Sequence, residues 1–174
     1  MPKIRDLIRE AHDAAESHPL NQCFINGTIS DTAYNLYVFQ RSYIIGFLDN
    51  FLPEKFARQK EFIKDLPDNT EGFPITQSTQ DYLNHLEELD DRYMIGHIYV
   101  NYMGDLYGGQ IIRNNNPNRR TNHLNFDGIQ NEFIHHIRNR MHERDEELAE
   151  QANNAFRFIH DILDDVEFLV TDES

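Results

Sequence analysis

Residues 96–112 read GHIYVNYMGDLYGGQII, a helical pattern that carries Gly96, Gly104, Gly108 and Gly109 inside it. A glycine in a helix interior costs ~0.8–1 kcal/mol relative to alanine. Gly104, Gly108 and Gly109 together therefore cost ~3 kcal/mol, a large part of a typical ~5–15 kcal/mol total stability. Something must offset that cost. At ~100° per residue, His97, Asn101, Gly104, Asp105 and Gly108 share one face. Such a face is a groove with no side chains at its centre and an acid on its shoulder. Backbone can approach a flat ligand closely there, and the glycines let the helix bend. Two other readings stay open: Gly108 and Gly109 end the helix, or Gly104 marks a close helix–helix crossing.

The same periodicity runs outward from this segment. Ile4, Leu7, Ile8, Ala11 and Ala15 form one stripe, which predicts a first helix from Pro2 to about His18-Pro19. Asn26-Gly27 reads as a turn. Ser30 or Asp31 caps a second helix running to about Leu52, ahead of Pro53. A short helix over 54–64, a loop from Pro67 to Pro74 and a helix over Gln77–Leu86 follow. The glycine-bearing helix spans about 88–113, and the loop NNNPNRRTNH (114–123) comes next. Two amphipathic helices, 126–144 and 146–170, close the chain as antiparallel neighbours. Strand alternation is absent. The pattern predicts an all-α fold and one domain over 1–174, with 170–174 as a flexible tail.

Composition narrows the partners. The 174 residues suffice for one core. The 16 Lys and Arg are outnumbered by 30 Asp and Glu, a net charge of −14. Nucleic acid and anionic membrane are poor partners for such a chain. Cys23 is the single cysteine, which excludes an internal disulfide and a cysteine-rich metal site and suits a reducing compartment. No apolar run approaches the ~20 residues of a membrane span. The start MPKIRDLIREAHD reads as charged helix rather than signal peptide, and the end VEFLVTDES is no anchor. The expected compartment is the cytoplasm, with the plastid stroma as an alternative, and the expected state is a monomer.

On the first helix, His12 and Glu16 lie one turn apart at the edge of the apolar stripe. A carboxylate there can hold one imidazole nitrogen and leave the other as a metal ligand. Arg5 lies two turns before His12, roughly 10 Å along the axis. By itself, a histidine bordering an apolar face is more often an ordinary exposed or hydrogen-bonded side chain.

Together, EAHDAAE (10–16) and HIYVNYMGDLYGGQ (97–110) resemble the haem oxygenase family. The second motif is long and specific. Weaker likeness runs through FINGTISDTAYNLYVFQRSYIIGFLDN (24–50), IRNRM (137–141) and NAFRFIHDIL (154–163). The resemblance implies haem b, bound noncovalently as substrate and cofactor together, between the first helix and a kinked glycine-rich distal helix. It implies His12 as axial iron ligand and Glu16 as the partner that orients it. Gly104 and Gly108 would lie against the distal haem face, with Gly109 assisting the bend. Asp105 would act through an ordered water that delivers a proton, favouring ring hydroxylation over O–O cleavage. Arg5, Tyr99 and Arg138 match positions that handle the propionates, where local positive charge suits an anion meeting an acidic protein. Phe156 matches an aromatic of the pocket wall and reads equally well as core.

The implied reaction converts haem to biliverdin (the IXα isomer by family default), CO and ferrous iron with dioxygen and seven electrons. No dinucleotide or flavin motif is present, so a separate protein, a soluble ferredoxin, is the expected donor, docking on Lys3, Arg5, Arg9, Arg138 and Arg140. A bilin reductase is a candidate downstream partner. The absence of a membrane tail resembles bacterial, plastid or phage members. The chain departs from the family at Asn101, where arginine is common, and at Tyr107, where a small residue is common. It also departs at Ile134 in place of a basic contact, and at Ile45 in place of a tyrosine. The rival readings are a noncatalytic haem carrier or sensor and a helical di-iron oxidase, for which Glu132-x-x-His135 is one half-site.

Overall fold

The computed structural model describes residues 3–172, and every regular element among them is helical. The order is α1 (Ile4–Leu7), α2 (Arg9–Glu16), α3 (Pro19–Asn26), α4 (Asp31–Leu48), α5 (Gln59–Lys64), α6 (Gln77–Glu88), α7 (Met94–Asn115), α8 (Gln130–Met141) and α9 (Asp145–Asp172). Pro2, expected to open the first helix, lies outside the described residues. Helix covers 170–172 of the segment expected as a tail. No described helix is long and apolar enough to cross a membrane.

The expected first helix is two helices. Ile8 sits at φ −110° and ψ 2°, which breaks the run between α1 and α2. The stripe survives the break, because Ile4, Ile8 and Ala15 are buried against the long α9. Helix α3 was not expected. Pro19 occupies its first turn, the His18 ring accepts from Leu20 N, and Gly27 at φ +76° ends it. A side chain at Gly27 would strike the Asn115 carbonyl, so this glycine also lets α3 and the end of α7 meet. Helix α7 begins at Met94 rather than near 88, because Asp90 accepts from Arg92 N and winds 91–93 into a 3₁₀ turn.

Helix α7 is the axis of the fold and packs on α9, α8, α3 and α4. Gly96 is its close crossing point: a Cβ there would stand 3.3 Å from the Leu148 carbonyl of α9. The rotation of α7 is fixed from the other side by Tyr102. Its hydroxyl donates to Asp49 Oδ1 at 2.8 Å and contacts the Ile45 carbonyl at 3.2 Å. Asp49 also receives the backbone N–H groups of Arg58 and Gln59 at the start of α5. One carboxylate thus joins the end of α4, the start of α5 and the middle of α7. The loop after α7 is held by Arg58, which donates to the carbonyls of Asn122, His123 and Asn125. Asp65 completes it, accepting from His123 Nδ1 at 2.6 Å.

Candidate functional site

A cleft of about 410 Å³ opens between α2–α3 on one side and α7 on the other, with α4 and α9 supplying its remaining walls. His12, Glu16, Tyr99, Gly104, Asp105, Gly108 and Phe156 all line it. Segments some ninety residues apart are brought together as the two motifs require.

On the α2 side, about half of the His12 side chain is exposed. Its ring stands edge-on to Phe156 with centroids 5.5 Å apart, and Phe156 itself lines the cleft. Nδ1 lies 3.1 Å from Asp13 Oδ1, and Nε2 lies 3.5 Å from Glu16 Oε2. The nearer carboxylate is therefore Asp13, which the sequence did not single out. An Nδ1–H donated to Asp13 leaves the Nε2 lone pair as the one a metal can take. In that tautomer Glu16 stands 3.5 Å from the free nitrogen, on the opposite side of the ring from Asp13.

On the α7 side, a Cβ added at Gly104 or Gly108 meets nothing within 4 Å. Neither glycine serves a helix crossing, and Gly108 does not end the helix, which continues to Asn115. The bare surface is turned to the cleft. Gly109 is a correction: its Cβ would lie 3.1 Å from the Leu124 side chain, so it seats the loop after α7 and does not line the cleft. One residue of helix, ~100°, separates the two roles. His97, expected on the groove face, is also turned inward and fully buried. Its Nδ1 meets the Tyr82 hydroxyl at 2.8 Å and its Nε2 meets Gln151 Oε1 at 2.8 Å. Burial pushes its pKa down to about 4, so it is neutral. Asn101, which does line the cleft, is anchored to this network by Nδ2, donating to Tyr82 and to the His97 carbonyl.

Asp105 is buried and bound by Arg41, whose Nη1 donates to Oδ1 at 2.7 Å. Arg41 and Tyr37, one turn apart on α4, line the cleft. Ile45, the next position along that face, does not line it and is wholly buried. The polar groups that α4 gives the cleft stand one and two turns earlier than the family pattern suggests.

A second hollow of about 940 Å³ adjoins the first, sharing Tyr99, Met103 and Tyr107. Arg5 and Arg138 line it, so the predicted anion-handling residues lie together beside the cleft. Ile134 lines it too, as an apolar wall where a third cation was lacking in the sequence. The proposed docking island is partly committed: Arg9 pairs with Asp6, and Arg140 donates to the Phe51 carbonyl.

The di-iron reading finds no support among the described residues. Glu132 is exposed and paired with Lys55 at 2.6 Å. Among the described residues the one group of three metal-type ligands is His18, His160 and Asp164, elsewhere in the fold. There His18 Nδ1 accepts from Leu20 N, so Nε2 carries the proton and donates to Asp164. In that arrangement His18 has no lone pair left to ligate a cation.

The sequence model of the family described as Heme oxygenase matches residues 1–165. The chain belongs to the haem oxygenase family. Among solved structures it resembles heme oxygenase-1 from the cyanobacterium Synechocystis in complex with heme, with a TM-score of 0.83 and 20% identity, covering 98% of this chain and 93% of that one. It also resembles heme oxygenase from Leptospira interrogans, with a TM-score of 0.78 and 20% identity, covering 92% and 96%. Bovine heme oxygenase 1 is 25% identical over 132 residues, 63% of this chain and 46% of the relative. Rat heme oxygenase 2 is 22% identical over 193 aligned residues, 89% and 61%. The chain spans about half the length of the mammalian heme oxygenase 1 relatives it matches.

Proposed function

We propose that this protein is a haem oxygenase, cleaving haem b with dioxygen and electrons to biliverdin, CO and ferrous iron. The observation that carries the reading is a half-exposed imidazole and a bare stretch of helix backbone lining one cleft. A Cβ at Gly104 or Gly108 would occupy the space a flat macrocycle needs. When bound, haem supplies both the oxygen-activating iron and the carbon that is oxidised. His12 Nε2 holds the iron, with Asp13 orienting the ring through Nδ1. Arg5, Arg138 and Tyr99 take the propionates in the adjoining hollow. Gly104 and Gly108 allow close approach on the far face, and Phe156 fixes the imidazole edge. Asp105 holds water in the cleft and passes a proton through it.

Electrons come from a separate protein, with a soluble ferredoxin as the proposed donor. Lys3, Arg5 and Arg138 are its proposed contacts beside the second hollow. High salt then slows electron delivery more than it weakens haemin binding, which the iron ligand and the apolar cleft also hold. Turnover indifferent to ionic strength rejects this docking. A bilin reductase is the proposed consumer of the product. A cytoplasmic monomer forming one domain over 1–174 is the proposed state.

The test is direct. Haemin is added to the apoprotein and the Soret band followed, then reductant and oxygen are supplied. A biliverdin spectrum supports the oxygenase, whereas haem that persists unchanged makes the protein a carrier. Absence of a Soret shift rejects both.

A further inference from the structure

Arg41 is a cation on a helix that is buried almost all round, and it is about 7% exposed. Burying a guanidinium costs several kcal/mol that an ion pair rarely returns in stability. Arg58, the other buried arginine, spends its charge on three loop carbonyls, a visible structural task. Arg41 is placed differently. Nη1 donates to Asp105 Oδ1 at 2.7 Å and Nη2 to the Asn101 carbonyl at 3.1 Å. Its fork therefore grips a single turn of α7 at two points, the backbone at 101 and the side chain at 105. The face of the guanidinium lies 5.0 Å from the Phe62 ring, which closes it in from behind. Asp105 Oδ2 has no partner among the described residues and belongs to a side chain that lines the cleft. Burial pushes the guanidinium pKa down, but the Asp105 charge and hydrogen bond, with Tyr37, push it up further.

We propose that Arg41 is a positioning residue for Asp105. By holding Oδ1 it fixes the carboxylate in one rotamer and leaves Oδ2 as the acceptor turned to the cleft. Water bound there is then held in one place relative to the bare face at Gly104 and Gly108. The functional half of this inference rests on the haem oxygenase reading, while the structural half does not. A lysine reaches one of the two points but lacks the fork.

The test is a double-mutant cycle with Arg41→Met, Asp105→Asn and the pair combined, read in two ways. In the apoprotein, Arg41→Met lowers Tm by several degrees, on the order of 2–4 °C per kcal/mol at this chain length. That loss shrinks when Asp105→Asn is already present. In the haemin-loaded protein, Soret titration shows affinity kept within about threefold, since misplacing the water-holding acid leaves the ligand and propionate contacts intact. Biliverdin formation falls on the order of 100-fold, the scale of a misplaced reacting group. The double variant is no slower than the slower single, and Arg41→Lys recovers part of the loss. Normal turnover in Arg41→Met, or losses that multiply in the double variant, would overturn the assignment. So would an apoprotein cycle with no coupling. If Arg41→Met does not fold, Arg41→Lys serves as the Arg41 leg of the same cycle. Coupling in the apoprotein together with an inert wild-type haemin complex keeps the Arg41 assignment and sinks the oxygenase reading alone.

Discussion

The two walls of the cleft are built to different standards. The α2 wall is an eight-residue helix that starts at a backbone break, and its key side chain is half exposed and touched by two exposed carboxylates. The α7 wall is a 22-residue helix packed on four others, and its polar groups are buried and mutually bonded. The difference teaches where adjustment and where precision reside. A short, lightly held helix can shift to meet a ligand. A long one, keyed by Tyr102 and gripped by Arg41, cannot move without breaking buried hydrogen bonds, each worth ~1 kcal/mol net and more when charged.

The largest effect is expected on the lightly held side. His12→Ala removes the proposed iron ligand, and Soret titration should show altered ligation with affinity or turnover down by on the order of 100-fold or more, beyond the ~10–100-fold typical of outer partners. Unchanged spectra and turnover would remove His12 from the site and erase the comparison.

Acid should then separate the walls. The buried His97 has its pKa depressed by desolvation from the ordinary 6.5 to about 4, with His85 lowering it further. Below pH 6.5 the unfolded chain takes a proton that the folded one refuses. Stability is therefore complete above about 6.5 and falls as pH drops toward about 4, by roughly 3 kcal/mol in all. In His97→Gln the slope of Tm over this window should flatten. An identical slope would place the acid sensitivity elsewhere.

A smaller effect sharpens the α2 side. Asp13→Ala should weaken haemin binding about tenfold, the usual scale for a residue that orients a ligand, while Glu16→Ala weakens it less. The reverse order would return the orienting role to Glu16.

The smallest effects divide the glycines. Gly104→Ala and Gly108→Ala meet open space, so each should stabilise the apoprotein by about 1 kcal/mol while weakening haemin binding. Gly96→Ala and Gly109→Ala press on α9 and on Leu124 and should lose that gain to crowding. Four equal responses in chemical denaturation would show that no glycine faces the cleft.

Much of this was legible in the residues. The 3.6-residue periodicity gave an all-α fold, and the cost of the internal glycines left a ligand groove as one of three readings, which holds for Gly104 and Gly108 only. Local order was read less well where one residue overrode the pattern. The Ile8 break leaves the apolar stripe intact and so leaves no trace in it. The α3 helix, short and bounded by Pro19 and Gly27, resembles a turn region. The cleft's own residues divide the same way. His12, Gly104 and Asp105 sit in motifs, whereas Arg41 lies in an apolar helix and finds its partner 64 residues away. No sequence period encodes such a contact. Gly109 was misplaced because a one-residue step on a helix turns a side chain from the cavity to the interior, and His97 because its end of the same stripe is covered by Tyr82 of α6 and Gln151 of α9.

The Asp49 junction has a further consequence. A cylinder among cylinders can spin in place at little cost, since its apolar sides are interchangeable. Asp49 denies α7 that freedom by acting as a key in a slot, engaged through Tyr102 while its other contacts set where α5 begins. The azimuth of the bare face and the anchorage of a peripheral helix thus share one acid that does not line the cleft.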